Sequence, residues 1–148
     1  MKRVVLVLFP LLALAAPALP PDDDLTRVEA EPHPDKRAHL ALENADDALK
    51  QARESYDKGE SENVTTRLHE VEQSVELAET SLKQTGKNPS RAPKHFKYAE
   101  LRTRDLLRKM ESFRESMSVA DRPVLDHAIS VVQKIHDTLL DGIMGKNK

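Results

Sequence analysis

The sequence predicts an all-α fold, a four-helix up-down-up-down bundle, on three observations. Four stretches carry apolar residues alternately three and four positions apart, the spacing that lines one face of a helix. Glycine or proline marks every break between those stretches. The composition, with no cysteine, no tryptophan and only 3% aromatic residues, favours helices over strands.

Ahead of the stripes, Lys2 and Arg3 precede an apolar run from Val4 to Leu14 that ends in small residues. This is the pattern of a secretory signal peptide over residues 1–18, with cleavage expected between Ala15 and Ala18. The run is too short to span a bilayer, and no later stretch reaches the roughly 18 apolar residues that a membrane helix needs. The expected location is periplasmic or secreted, with no transmembrane segment in the mature chain. Residues 19–34 contain four prolines and the run Asp22-Asp23-Asp24, so they read as a flexible, disordered leader that buries too little to offset the entropy of ordering. The folded unit is expected over 35–145, with Asp35 as the first N-cap. With no cysteine it has no disulfide and must rely on burial.

The first helix, about 36–58, places Ala38, Leu42, Ala45, Leu49, Ala52 and Tyr56 on one face and stops at Gly59, which suits a left-handed C-terminal position. The second, about 61–85, carries Val64, Leu68, Val71, Val75, Ala78 and Leu82 and stops at Gly86. So short a turn makes the two antiparallel. The longest internal connection follows, held out of helix by Pro89 and Pro93. The third helix, about 94–118, points Phe96, Ala99, Thr103, Leu106, Met110, Phe113 and Met117 inward, with Thr103 the one polar member. Asp121-Arg122-Pro123 restarts the chain with an N-cap and a first-turn proline. The fourth helix, about 122–143, contributes Leu125, Ala128, Val132, Ile135 and Leu139, flanked by Val124, Ile129, Val131 and Ile143. Its apolar face is the broadest, so it is expected to be the most buried element.

Sliding the second stripe by 57 positions superimposes it on the fourth, and a slide of 61 matches the first to the third. A duplicated hairpin would leave this trace, although two heptad stripes also slide into register without one. An extended coiled coil or a swapped dimer would use the same stripes; the turns at Gly59 and Gly86 favour packing within one chain, as monomer or homodimer.

No catalytic constellation is visible, and the chain reads as a non-enzyme with no cofactor and no metal. Di-metal bundles need inward Glu residues and Glu-x-x-His, whereas here His69-Glu70-Val71-Glu72 runs in the wrong order. Met110 and Met117 at helical spacing read as packing. His39, His127 and His136 read as rim or solvated histidines, and Glu43 with Asp47 as a solvated acidic face. Gly-rich phosphate loops and Ser/His/Asp arrangements are missing from the sequence.

Charge is distributed unevenly. Residues 22–82 hold seventeen acidic and seven basic side chains, a net of minus ten, while residues 83–114 hold ten basic and three acidic, a net of plus seven. The candidate binding residues are therefore Lys87, Arg91, Lys94, Lys97, Arg102 and Lys109, a surface suited to a phosphate-bearing envelope component, a lipid headgroup or an acidic protein. The start of the third helix adds backbone donors. The competing explanation is that the basic third helix simply pairs with the acidic first one. Nucleic acid does not fit a chain expected to be exported.

The turn at Lys58-Gly59 after Tyr56 resembles one tetratricopeptide hairpin, though the later helices lack that repeat's small and aromatic positions. The acidic outer face resembles the phosphate-uptake regulators, without their repeated acidic motifs. Periplasmic stress chaperones are likewise small and helical, but the chain has no Leu-Thr-x-x-Gln repeat. From the leader through Thr85-Gly86-Lys87-Asn88-Pro89 to Asp141-Gly142-Ile143-Met144-Gly145, the chain resembles the small exported helical-bundle proteins of unassigned function in Gram-negative bacteria. That resemblance implies a bundle and no activity. The leading expectation is an interaction or envelope-associated binding module with an unknown protein or anionic envelope partner. A small-ligand, anion or metal-binding bundle and a periplasmic holdase are the alternatives.

Overall fold

A computed structural model describes residues 24–146, so the signal-peptide reading and the first residues of the leader lie outside the described residues. Among the described residues the chain is all-helical, with five helices and no strand: α1 (Asp24–Glu29), α2 (Pro34–Asp57), α3 (Ser61–Gln84), α4 (Lys94–Ser116) and α5 (Arg122–Ile143). None of them is long and apolar enough to cross a membrane.

The short helix α1 corrects the expectation of disorder across the leader. Leu25 is buried, and Val28, one turn later, packs against the core. The turn that follows is tied down by Arg37, which donates to the Glu31 carbonyl at 2.8 Å, to Ser81 Oγ at 2.9 Å and to the Gln84 side-chain oxygen. Lys36 and the His33 amide hold the Glu31 carboxyl down at about 2. Two apolar residues three apart and a bridging arginine thus order a segment whose composition argues against order. Leu25→Asp is expected to release α1 while α2–α5 stay folded. Limited proteolysis would then cut before His33, with helical circular dichroism nearly unchanged; cooperative unfolding of the whole chain would contradict this.

Every residue of the four predicted stripes is buried except Tyr56, which is half-buried against the core. Helix bounds fall within two residues of those expected. Gly59 takes φ +74 at the end of α2, where the Glu60 and Gly59 amides donate to the Ser55 and Tyr56 carbonyls in a Schellman closure. Neither predicted N-cap works as one. α2 begins at Pro34 with His33 before it, so Asp35 lies inside the first turn, and its carboxylate accepts from Lys87 instead. Asp121 occupies the N-cap position of α5, yet its carboxylate accepts from the Ser118 and Tyr56 hydroxyls. The same Tyr56 oxygen accepts the Ser118 amide, so the end of α2 closes the turn between α4 and α5.

The helices alternate in direction, but their order in space differs from the simplest ring. α2 and α3 form one antiparallel hairpin and α4 and α5 another; α4 lies beside α2, α5 lies beside α3, and α2 and α5 do not meet. The hairpins therefore stack in parallel. Asp35 meets His95 (60 positions on), Asp46 meets Lys109 (63) and Tyr56 meets Ser118 (62), close to the slide of 61 that aligns the stripes. Thr85 to Pro93 must then cross the end of the fold to reach α4. Pro89 packs on Gly142 of α5, where a Cβ would come within 3.3 Å of its ring.

The expectation that the fourth helix is most buried fails. α5 has six buried residues, against nine in α3 and eight in α2. The cause is the alanine face of α2: Ala38, Ala41, Ala45, Ala48 and Ala52 are at most 1% exposed and let α3 approach along the full hairpin.

Candidate anion-binding surface

The six basic candidates divide into two sets. Lys87 Nζ donates to Asp35 Oδ2 at 2.7 Å, Lys109 Nζ donates to Asp46 Oδ1 at 2.6 Å, and Arg102 reaches the same carboxylate at 3.9 Å. These three follow the competing explanation: they fasten α4 and the connection to acidic α2. The hydrogen bond from Lys87 holds the Asp35 carboxyl below the usual carboxylate range, and the bond to Asp46 raises the Lys109 ammonium above its own. Lys109 also donates to Asp105 at 3.0 Å and lowers that carboxyl.

Arg91, Lys94 and Lys97 form the second set. All three are exposed, and none pairs with an acidic side chain among the described residues. Lys94 and Lys97, three apart, share one face of the first turns of α4, and Arg91 precedes them in the connection. That helix start has no side-chain cap: Pro93 precedes it, and no acidic residue stands in its first turn. Uncapped amides and the positive end of the helix dipole thus coincide with three free cations.

Beneath this patch, α2 and α4 meet through aromatic rings. His39 stacks on Tyr98 with centroids 3.9 Å apart and planes at 6°. Its Nε2 shares a hydrogen bond of 3.2 Å with His95 Nδ1, and His95 Nε2 lies 3.8 Å from Asp35 Oδ2. His39 is therefore a seam residue, not a solvated rim histidine. Further along the seam, a groove of about 310 Å³ is lined by Asp46, Lys50, Arg53, Lys109 and Phe113, with the Arg53 guanidinium 5.7 Å over the Phe113 ring. Its lining carries both signs of charge and so favours no simple anion.

Two buried polar clusters escape a reading by stripes. Between α2 and α3, Asn44 donates to Glu70 Oε1 at 3.0 Å and Ser74 Oγ at 2.9 Å, while Arg67 pairs with Glu70 at 2.6 Å. Between α4 and α5, Thr103 Oγ1 is hydrogen-bonded to His136 Nδ1 at 3.0 Å, and His136 Nε2 lies 3.8 Å from Glu100, which Arg104 also holds. His136, expected at the rim, is 9% exposed. Thr103 leaves no unpaired hydroxyl in the core, because it also donates to the Ala99 and Glu100 carbonyls. The order Thr–His–Glu is that of a nucleophile, base and orienting acid, but Thr103 is fully enclosed and offers no path of attack. The signals that could have revealed these acids are Arg67-x-x-Glu70 and Glu100-x-x-x-Arg104, each pairing a carboxylate with an arginine one turn away.

His69 bonds Glu72, and His127 lies 4.0 Å from that carboxylate on the outside. Among the described residues, no three His, Asp or Glu side chains converge as metal ligands. Compared with protein-family models, with curated proteins and with solved structures, the chain matches none.

Proposed function

We propose that this chain is an exported, non-enzymatic helical-bundle protein that docks an anionic envelope partner through Arg91, Lys94 and Lys97. In this reading residues 1–18 are a cleaved signal peptide, the location is periplasmic or secreted, and the mature protein is a four-helix bundle of two stacked hairpins with α1 laid across it. The carrying observation is the contrast within one basic segment: Lys87, Arg102 and Lys109 are neutralised by α2, whereas Arg91, Lys94 and Lys97 face solvent around an uncapped helix start. Charge not needed for folding is free for recognition, and its reach is set by ionic strength.

The test compares wild type with the triple variant Arg91→Gln, Lys94→Gln, Lys97→Gln. Binding to phosphatidylglycerol vesicles, and capture of partners from envelope extract, are measured at low and high salt. Wild type is expected to bind in a salt-sensitive way and the triple variant to lose that binding, with unfolding free energy within about 0.5 kcal/mol of wild type. The paired control Arg102→Gln, Lys109→Gln is expected to keep binding and to lose up to about 1 kcal/mol of stability. Salt-insensitive binding, or equal binding by the triple variant, would overturn the reading.

A further inference from the structure

We infer that His39 and His95 form a proton-controlled latch between the two hairpins, closed while the pair carries no more than one proton and released when it carries two. The geometry needs only one donor. Across the 3.2 Å gap between His39 Nε2 and His95 Nδ1, one ring must present N–H and the other a lone pair. A single added proton is accommodated: with it on His95, Nδ1–H still donates to His39 and Nε2–H faces Asp35 at 3.8 Å. A second proton places two N–H groups against each other in a half-buried seam, and the hydrogen bond joining α2 to α4 is lost.

The surroundings decide how firmly the second proton is refused. From α2, Asp35 and Glu43 favour charge on His39; from α4, Lys94 and His95 itself oppose it. Lys87, in the connection, occupies the Asp35 carboxylate and so weakens its help. No hydrogen bond or ion pair from α3 or α5 reaches either ring among the described residues. Burial, and after it the neighbouring His95, outweighs the two carboxylates and holds His39 below the ordinary histidine value of 6.5. The sign follows: the unfolded chain takes the proton more readily, so the stabilisation is complete above about pH 6.5 and is lost as pH falls below it. Tyr98 fixes the ring of His39, so the rings cannot turn apart without unstacking. The latch sits where the crossing connection enters α4, and its release loosens the first turns of that helix.

Two measurements on the intact chain test this, and neither depends on the partner proposed above. In an NMR titration of wild type, His39 is expected to take its proton below the ordinary histidine value of 6.5. A His39 ring that takes its proton at the ordinary histidine midpoint would overturn the latch. Hydrogen exchange of the amides from Lys97 to Leu101 is then compared between about pH 7.5 and about pH 5, corrected for intrinsic rates. Wild type is expected to lose protection on acidification, whereas His39→Phe, which keeps a ring against Tyr98, is expected to show a pH-independent level. Equal acid-induced loss in both proteins would also overturn it. If His39→Phe fails to fold, the wild-type titration decides the matter alone.

Discussion

Phe113→Ala is expected to lower the free energy of unfolding by about 3–5 kcal/mol. Phe113 has no exposed surface, and it stands where the end of α2 meets α4. Its ring meets Tyr56 edge to face at 5.7 Å, and Arg53 covers its other approach. Truncation removes the ring's burial, leaves a void between rigid helices and strips Tyr56 of a partner whose contact alone is worth about 0.5–1.5 kcal/mol. A single domain has only about 5–15 kcal/mol in total, so this one side chain carries a large share. Urea unfolding at neutral pH measures it as a lower midpoint with an unchanged slope. Phe113→Leu, which keeps most of the volume, is expected to lose less. A loss below about 1 kcal/mol for the alanine variant would mean that the ring is not locked into the core.

Ala45→Leu is expected to cost about 1–3 kcal/mol, although leucine is more apolar and is a good helix former. The cost comes from space. Ala45 is fully buried in the face along which α2 and α3 lie closest, with Ala41 and Ala48 beside it, and three added carbons must push the helices apart or force strained rotamers. Leucine at an exposed site of the same helix, such as Lys50, is expected to change stability by less than about 0.5 kcal/mol. Thermal and urea unfolding of the two variants separate the effects. A gain in stability for Ala45→Leu would show that α2 and α3 are spaced more widely than their alanine contact implies.

The four long helices were legible because each buries a stripe at helical spacing, and period is a property of the sequence alone. How the stripes face one another was not, since any apolar stripe can meet any other. The offsets of 57 and 61 held the clue: they align the stripes in the order in which α3 lies beside α5 and α2 beside α4. α1 was hidden because order there depends on one leucine and on Arg37 reaching Ser81, 44 residues away. His136 was placed at the rim, and the burial of Glu70 and Glu100 went unread, for a related reason. A charged residue beside a stripe looks solvated until the neighbouring helix supplies its partner. Of the candidate surface, the segment was readable from charge, but which cations α2 consumes depends on Asp35 and Asp46 lying opposite them.

The crossing connection has a consequence for vectorial synthesis. A nascent chain that has emerged only as far as Pro93 owns α2 and α3 but nothing to shield their shared apolar side, and the seat for Pro89 does not exist until Gly142 has been made. Closure must therefore wait until α5 has been made, so a growing chain stays loose and threadable until Gly142 has emerged.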